Sequence, residues 1–216
     1  MMVNLPFRDR AQAGRLLGAE LVSRRLPKDC IVLALPRGGV PVGFEVARAL
    51  GAPLDVVVVR KLGVPWQPEL AMGAIASGVR ILDERLMAQE RVSPEDLEEV
   101  VTRETQEAER RERLYRAGRP ALDARDRTVI LVDDGLATGS TMLAAVKFVK
   151  SLHPSAVIVA VPVGSRPACA QVRELADACV CLAVPTPFFA VGEWYQDFRQ
   201  ATDKEVRDLL AQPAFS

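Results

Sequence analysis

Between Val129 and Thr141 the chain reads Val-Ile-Leu-Val-Asp-Asp-Gly-Leu-Ala-Thr-Gly-Ser-Thr and then continues into an apolar helical pattern. The run 129–132 is β-branched and apolar, as suits a strand covered on both faces of a parallel sheet flanked by helices. Asp133 and Asp134 then fall where that strand ends, the edge at which such sheets bind ligands. The turn Ala137-Thr138-Gly139-Ser140-Thr141 follows, with a helix expected to begin near Ser140. Its unhindered backbone N–H groups, its hydroxyls and the positive helix end all suit a phosphate. Acids beside that anion would repel it unless they face something else, and ribose hydroxyls or a bound Mg²⁺ are suitable partners. A ribose 5-phosphate matches the segment from end to end.

A chain of 216 residues can build one large α/β domain, and no repeat or low-complexity linker divides it. Its 28 basic and 28 acidic side chains cancel, which argues against nucleic-acid or anionic-membrane partners, because both need many uncompensated cations. Cys30, Cys169, Cys179 and Cys181 contain no C-x-x-C pair; Cys179 and Cys181 share one face of an apolar run, which reads as packing. No run approaches the roughly 18 apolar residues of a membrane span, and the start carries no leader-like apolar stretch, so a cytoplasmic location is expected. The single histidine, His153, sits before Pro154 at a helix end, with nothing to orient it as a base.

Periodicity predicts helices over 11–26, 40–50, 94–116, 142–152 and 166–176, with strands over 31–35, 55–59, 156–161 and 178–184. Segments 70–76 and 79–83 read as a hairpin. Ser93-Pro94-Glu95-Asp96 is a helix start with its own cap. The alternation of strands and helices implies α/β architecture with a central, mainly parallel sheet flanked by helices.

Two further loops fall on the same sheet edge. Pro36-Arg37-Gly38-Gly39 follows the first strand and exposes backbone N–H groups, suiting either an anion or a tight turn. Arg60-Lys61 closes the expected strand 55–59 and presents two cations, as ligands or as a solvated pair. Between Arg110 and Arg127 seven arginines face three acids, a local excess that could take a polyanion or lace a solvated helix. The tail gathers Phe188, Phe189, Trp194, Tyr195 and Phe198, five of eleven aromatics, as a stacking surface or an anchor to the core.

The stretch 129–141 closely resembles the phosphoribosyl diphosphate (PRPP) signature of the type I phosphoribosyltransferases, and 68–74 resembles a segment of an uncharacterised branch of that family. The resemblance spans about 31–184. It implies one domain over 1–216, with a core at 31–184 under a small hood from about 1–30 and 185–216. It also implies a catalytic pair, Asp133 and Asp134, on the ribose 2- and 3-hydroxyls, and a 5-phosphate loop of Ala137, Thr138, Gly139, Ser140 and Thr141. Arg37, Gly38, Gly39, Arg60 and Lys61 would meet the pyrophosphate, and Arg116 and Arg119 would belong to a segment closing over the site. Phe188, Phe189, Trp194 and Tyr195 would line the acceptor pocket.

The implied reaction moves a phosphoribosyl group from PRPP to a nitrogenous small-molecule acceptor, with Mg²⁺ carried mainly by PRPP and no dedicated protein metal site. Relatives acting on 6-oxopurines carry an acid where this chain has Ala137, which argues against such acceptors. A homo-oligomer fits the resemblance, and a PRPP-sensing regulator without turnover is the alternative. A nucleotide-binding or methyl-donor-binding α/β domain whose acids hold an adenosine ribose is disfavoured, because there the glycine turn follows the first strand and the acid the second.

Overall fold

The computed structural model describes residues 3–121 and 123–212. The chain opens with α1 (Arg10–Ser23), β1 (Ile31–Ala34), α2 (Gly39–Leu50) and β2 (Leu54–Val56). After an outer unit described below come β6 (Thr128–Val132), α5 (Ser140–Lys150), β7 (Ala156–Val163), α6 (Arg166–Leu175) and β8 (Ala178–Ala183). Strands β2-β1-β6-β7-β8 form one sheet, all neighbours parallel, with Ile31 opposite Val129 and Thr128 opposite Ala156. The order keeps β6 central, so every residue of 128–132 is buried.

Alternation along the strands builds two cores. Leu131 and Val159 pack with Met142, Val146, Cys169 and Val172 of α5 and α6. Val32, Ile130 and Ile158 turn the other way, onto Leu17 and Leu21 of α1 and Val42 and Val46 of α2. Each such side chain, removed fully from water, contributes about 1.5–3 kcal/mol. Leu17 and Leu21 are fully buried here, so α1 packs onto the main sheet.

The expected strand 55–59 is divided. Pairing with β1 stops at Val56, and the chain crosses into β3 (Val59–Val64), which pairs antiparallel with β4 (Gln67–Ala76), itself paired with β5 (Val79–Leu82). This separate sheet is covered by α4 (Pro94–Arg116), after a short α3 (Glu84–Gln89). Leu62, Val64, Met72 and Ile75 bury against Val100 and Val101 of α4, a core of its own. The sequence signal for β3 is weak because Arg60 and Lys61 stand inside the strand.

The tail returns through a short 3₁₀ helix, Val191–Trp194, to α7 (Asp203–Ala211). Phe7 and its neighbours hydrogen-bond to this tail (Phe7 N to Trp194 O, 2.8 Å; Gln196 N to Phe7 O, 2.7 Å). Val206 and Leu210 of α7 then bury against Val40, Val56 and Tyr115. Among the described residues no helix is long and apolar enough to cross a membrane.

Candidate functional site

The ends of β1 and β6 bring Pro36-Arg37-Gly38-Gly39 against Asp133 and Asp134. Leu35 N donates to Val132 O at 2.9 Å, drawing the first loop over the second. A Cβ on Gly38 would lie 2.1 Å from Asp134 Oδ2, and one on Gly39 would lie 2.7 Å from Val132 O. Both positions therefore need glycine, because real Cβ atoms do not approach so closely. The Pro36–Arg37 peptide is cis.

Each acid spends one oxygen on the protein. Asp133 Oδ1 accepts the Asp134 N–H at 2.8 Å. Asp134 Oδ2 accepts a hydrogen bond from Arg10 Nε at 2.8 Å and lies 2.8 Å from Nη2 in the same ion pair. Among the described residues Asp133 Oδ2 and Asp134 Oδ1 accept no hydrogen bond from protein. Two adjacent carboxylates with one vacant oxygen apiece match a vicinal diol, which offers two donors. Burial pushes Asp133 well above the usual carboxylate range and the neighbouring Asp134 charge pushes it further. Asp134 is also raised by burial, against the downward pull of Arg10.

The turn after the acids leads into α5 through Gly139, whose φ of +80° is the left-handed region that favours glycine. Among the described residues, α1, α3, α4, α6 and α7 have side-chain caps, from Asp9, Asp83, Ser93, Ser165 and Thr202. The two α-helices without one are α2 and α5, which begin at the two expected anion loops. First-turn N–H groups have no partner inside the helix, so an uncapped start can take an anion; at α2, however, the Gly39 and Val40 N–H groups already donate to Leu35 O (3.0 Å) and Arg37 O (3.2 Å), and Pro41 has none. At α5 the first-turn groups border a cavity of about 180 Å³ lined by Asp133, Ala137, Thr138, Ser140 and Thr141. The loop is braced from behind, Ser165 N donating to Leu136 O at 2.8 Å and Ser165 Oγ to Ala137 O at 2.7 Å.

Other expected site residues are placed differently. Arg60 is not at the end of a main-sheet strand: its guanidinium pairs with Glu104 of α4 at 2.6 Å. Lys61 lines the groove there with Glu99 and Arg103. Both serve the outer sheet, because β3 must leave the main sheet to bury Leu62 and Val64. Arg116 and Arg119 stand at and just past the end of α4. Arg116 binds Asp55 (3.2 Å) and Val56 O (3.1 Å), and Arg119 binds Arg116 O (3.2 Å) and Leu210 O, so both anchor the end of α4. Arg110, Arg111 and Arg113 pair with Glu107 and Glu109 on the same helix, as in Arg111–Glu107 at 2.7 Å, while Arg127, beyond α4, donates to Asp29 O at 2.9 Å.

Of the tail aromatics, Phe189 is 77% exposed and, with Phe188, borders a cavity of about 570 Å³ shared with Ala137, Thr138, Arg166 and Gln171. Trp194 stacks on Phe188, and its buried indole nitrogen has no hydrogen-bond partner among the described residues. Tyr195 offers no ring face: it is buried between Phe7 and Phe198, and its hydroxyl donates to Asp134 O at 2.6 Å.

Two site residues were invisible locally. Arg10 reaches Asp134 from 124 residues away. Asp203 of α7 accepts Tyr115 OH at 2.7 Å and lies 3.8 Å from Arg37 of the glycine loop. Burial and Asp203 together push the Tyr115 phenol up to about 12. Among the described residues no group of three or more His, Cys, Asp or Glu could hold a metal ion.

A family model described as a phosphoribosyl transferase domain matches residues 19–197. TT1426 from Thermus thermophilus, a solved structure, is 43% identical over 95% of this chain and 98% of its own, with a TM-score of 0.86. The "Putative phosphoribosyl transferase" of Mycobacterium tuberculosis, in strains H37Rv and CDC 1551, is 45% identical over 94% of this chain. That match covers 46% of the mycobacterial protein, so the chain spans about half the length of these curated relatives. A hypothetical protein from Neisseria gonorrhoeae solved with bound ppGpp shares the fold at 13% identity, over 97% of each chain, with a TM-score of 0.53.

Proposed function

Because the chain belongs to the phosphoribosyl transferase domain family, we propose that it binds PRPP at the edge formed by β1 and β6 and transfers the phosphoribosyl group to a nitrogenous acceptor, releasing pyrophosphate. The observation that carries this reading is the join between the two loops: a pair of carboxylates with one vacant oxygen each, flanked by the glycine loop before α2 on one side and by the start of α5 on the other. A sugar diol between two phosphate groups has that same order. The α5 loop receives the 5-phosphate, Asp133 and Asp134 the ring hydroxyls, and Gly38 and Gly39 at the start of α2 the pyrophosphate.

Displacement at ribose C1 develops oxocarbenium-like charge, so the protein's work is orientation, stabilisation of the leaving group and exclusion of water. No covalent nucleophile is needed. The acids hold the ring by its hydroxyls while the Arg37–Gly38 loop faces the departing oxygens. Mg²⁺ would be held mainly by PRPP oxygens with Asp133 and Asp134 nearby, and would supply charge neutralisation for the leaving diphosphate. Ala137 provides no acid for proton transfer to a 6-oxopurine, and the exposed face of Phe189 beside the donor loop suits a planar acceptor.

The test is pyrophosphate release from PRPP and Mg²⁺ across a panel of nucleobases and small amines. Release with one acceptor class, absent with hypoxanthine and guanine, is the expected result. PRPP binding without release under any acceptor would instead make the protein a PRPP sensor.

A further inference from the structure

We propose that Arg10 is a positioning residue of the donor site, which fixes Asp134 by its Oδ2 and so aims the vacant Oδ1 at the sugar diol. The inference rests on the donor-site reading above. Arg10 is the first residue of α1, and its side chain is 11% exposed against 15% for that of Asp134. Nε and Nη2 both converge on Oδ2, and Nη1 donates to Arg199 O at 2.8 Å. The guanidinium carbon lies 4.0 Å from the centre of the Phe198 ring. All three nitrogens are engaged within the protein, so Arg10 acts through the carboxylate and not on the substrate directly.

The two acids are held in different ways. Asp133 is fixed by the backbone N–H of its own neighbour. Asp134 is fixed from outside its segment, its carboxylate by Arg10 and its carbonyl by Tyr195. Both partners belong to one cluster with Phe7 and Phe198, where the chain's first residues meet the returning tail. The geometry also explains arginine over lysine. Two N–H groups of one planar fork can reach a single oxygen while a third points to the Arg199 carbonyl, and the flat cation stacks on Phe198, whereas an ammonium is a point charge on a flexible stem. The positive charge also opposes the burial that favours a protonated Asp134.

The experiment compares two probes of equal charge: ribose 5-phosphate, and tetrahydrofurfuryl phosphate, which keeps the ring and phosphate but lacks the hydroxyls. Affinities are measured by displacement of PRPP for the wild type, Arg10→Met and Arg10→Lys. The wild type is expected to prefer ribose 5-phosphate by about tenfold or more, as one or two hydrogen bonds to charged groups would give. Arg10→Met should shrink that preference several-fold and Arg10→Lys restore part of it, with tetrahydrofurfuryl phosphate affinity unchanged within about twofold. In an Asp134→Asn background Arg10→Met should add little, because its partner is already altered. A preference unchanged by Arg10→Met, equal losses for both probes, or full additivity with Asp134→Asn would overturn the proposal. If Arg10→Met loses cooperative thermal unfolding, Arg10→Lys carries the test, and an undiminished preference in it overturns the proposal. A wild type that binds neither PRPP nor ribose 5-phosphate refutes the donor-site reading itself.

Discussion

Two helix starts show how differently this chain treats its backbone. At α4, Ser93 Oγ accepts the Asp96 N–H at 3.1 Å, Asp96 reaches back to Ser93 N, and Pro94 occupies the first turn. The exposed face then pairs with itself or its neighbours, as in Arg80–Glu98 at 2.6 Å. At α5 the corresponding place is held by Gly139, which has no side chain to cap the amides; Thr138 Oγ1 reaches only the Ser140 N–H, at 3.5 Å, and a cavity lies in front of them. A cap is worth about 1 kcal/mol. The outer unit takes that stabilisation from its own sequence, while the edge of the main sheet leaves its donors open for a ligand. The same contrast holds for charge: Glu107, in the outer unit, is drawn down to about 2 by Arg110 and Arg111, whereas Asp133 is pushed up by burial.

The hardest break of that contrast is at the acids. Replacing both Asp133 and Asp134 by Asn should weaken PRPP binding at least about 100-fold, since two hydrogen bonds to charged groups are lost; equilibrium titration checks it. Asp133→Asn alone should also make the free protein more stable at neutral pH. Its pKa in the fold lies above the unfolded value near 3.9, so ionisation costs stability as pH rises between the two, and the amide removes that cost. Thermal unfolding at pH 7 and pH 4 checks this, with the gain confined to the higher pH.

Next comes Gly38→Ala, whose methyl group would overlap Asp134 Oδ2. A loss of about 1–3 kcal/mol in urea unfolding is expected, together with weaker PRPP binding. A smaller effect separates the two helix starts. Ser93→Ala should lower stability by about 1 kcal/mol and leave PRPP affinity unchanged. Ser140→Ala should do the reverse, costing a few-fold in affinity with stability unchanged, because its hydroxyl faces the cavity beside Thr138 at 3.2 Å. The smallest effect is local: inorganic phosphate should slow amide exchange at Thr141 and Met142 and leave Glu95, Asp96 and Leu97 untouched.

What the sequence showed follows the same division. The run 129–141 revealed its strand, its acids and its loop together, because all its signals are consecutive, and Ser93 to Arg116 announced its helix with a cap at one end and periodicity along it. The crossing from β2 to β3 was not legible, since Val57 and Val58 continue an apolar run while hydrogen bonding changes partner from one sheet to another. Arg10 was not legible either. It belongs to an ordinary helix start, and its meaning lies in a contact that only the assembled tail creates. Arg60 and Arg116 look alike as cations near a strand end and a helix end, and only their acidic partners, Glu104 and Asp55, show that they hold elements together.

The measurement that bears most directly on the donor site is calorimetric titration of the wild-type protein with PRPP in the presence of Mg²⁺. Saturable binding of one PRPP per chain, displaced by pyrophosphate and by ribose 5-phosphate, is the expected result. No heat and no displacement at millimolar PRPP would contradict it, and would leave the start of α5 and the paired acids without the ligand that their geometry fits.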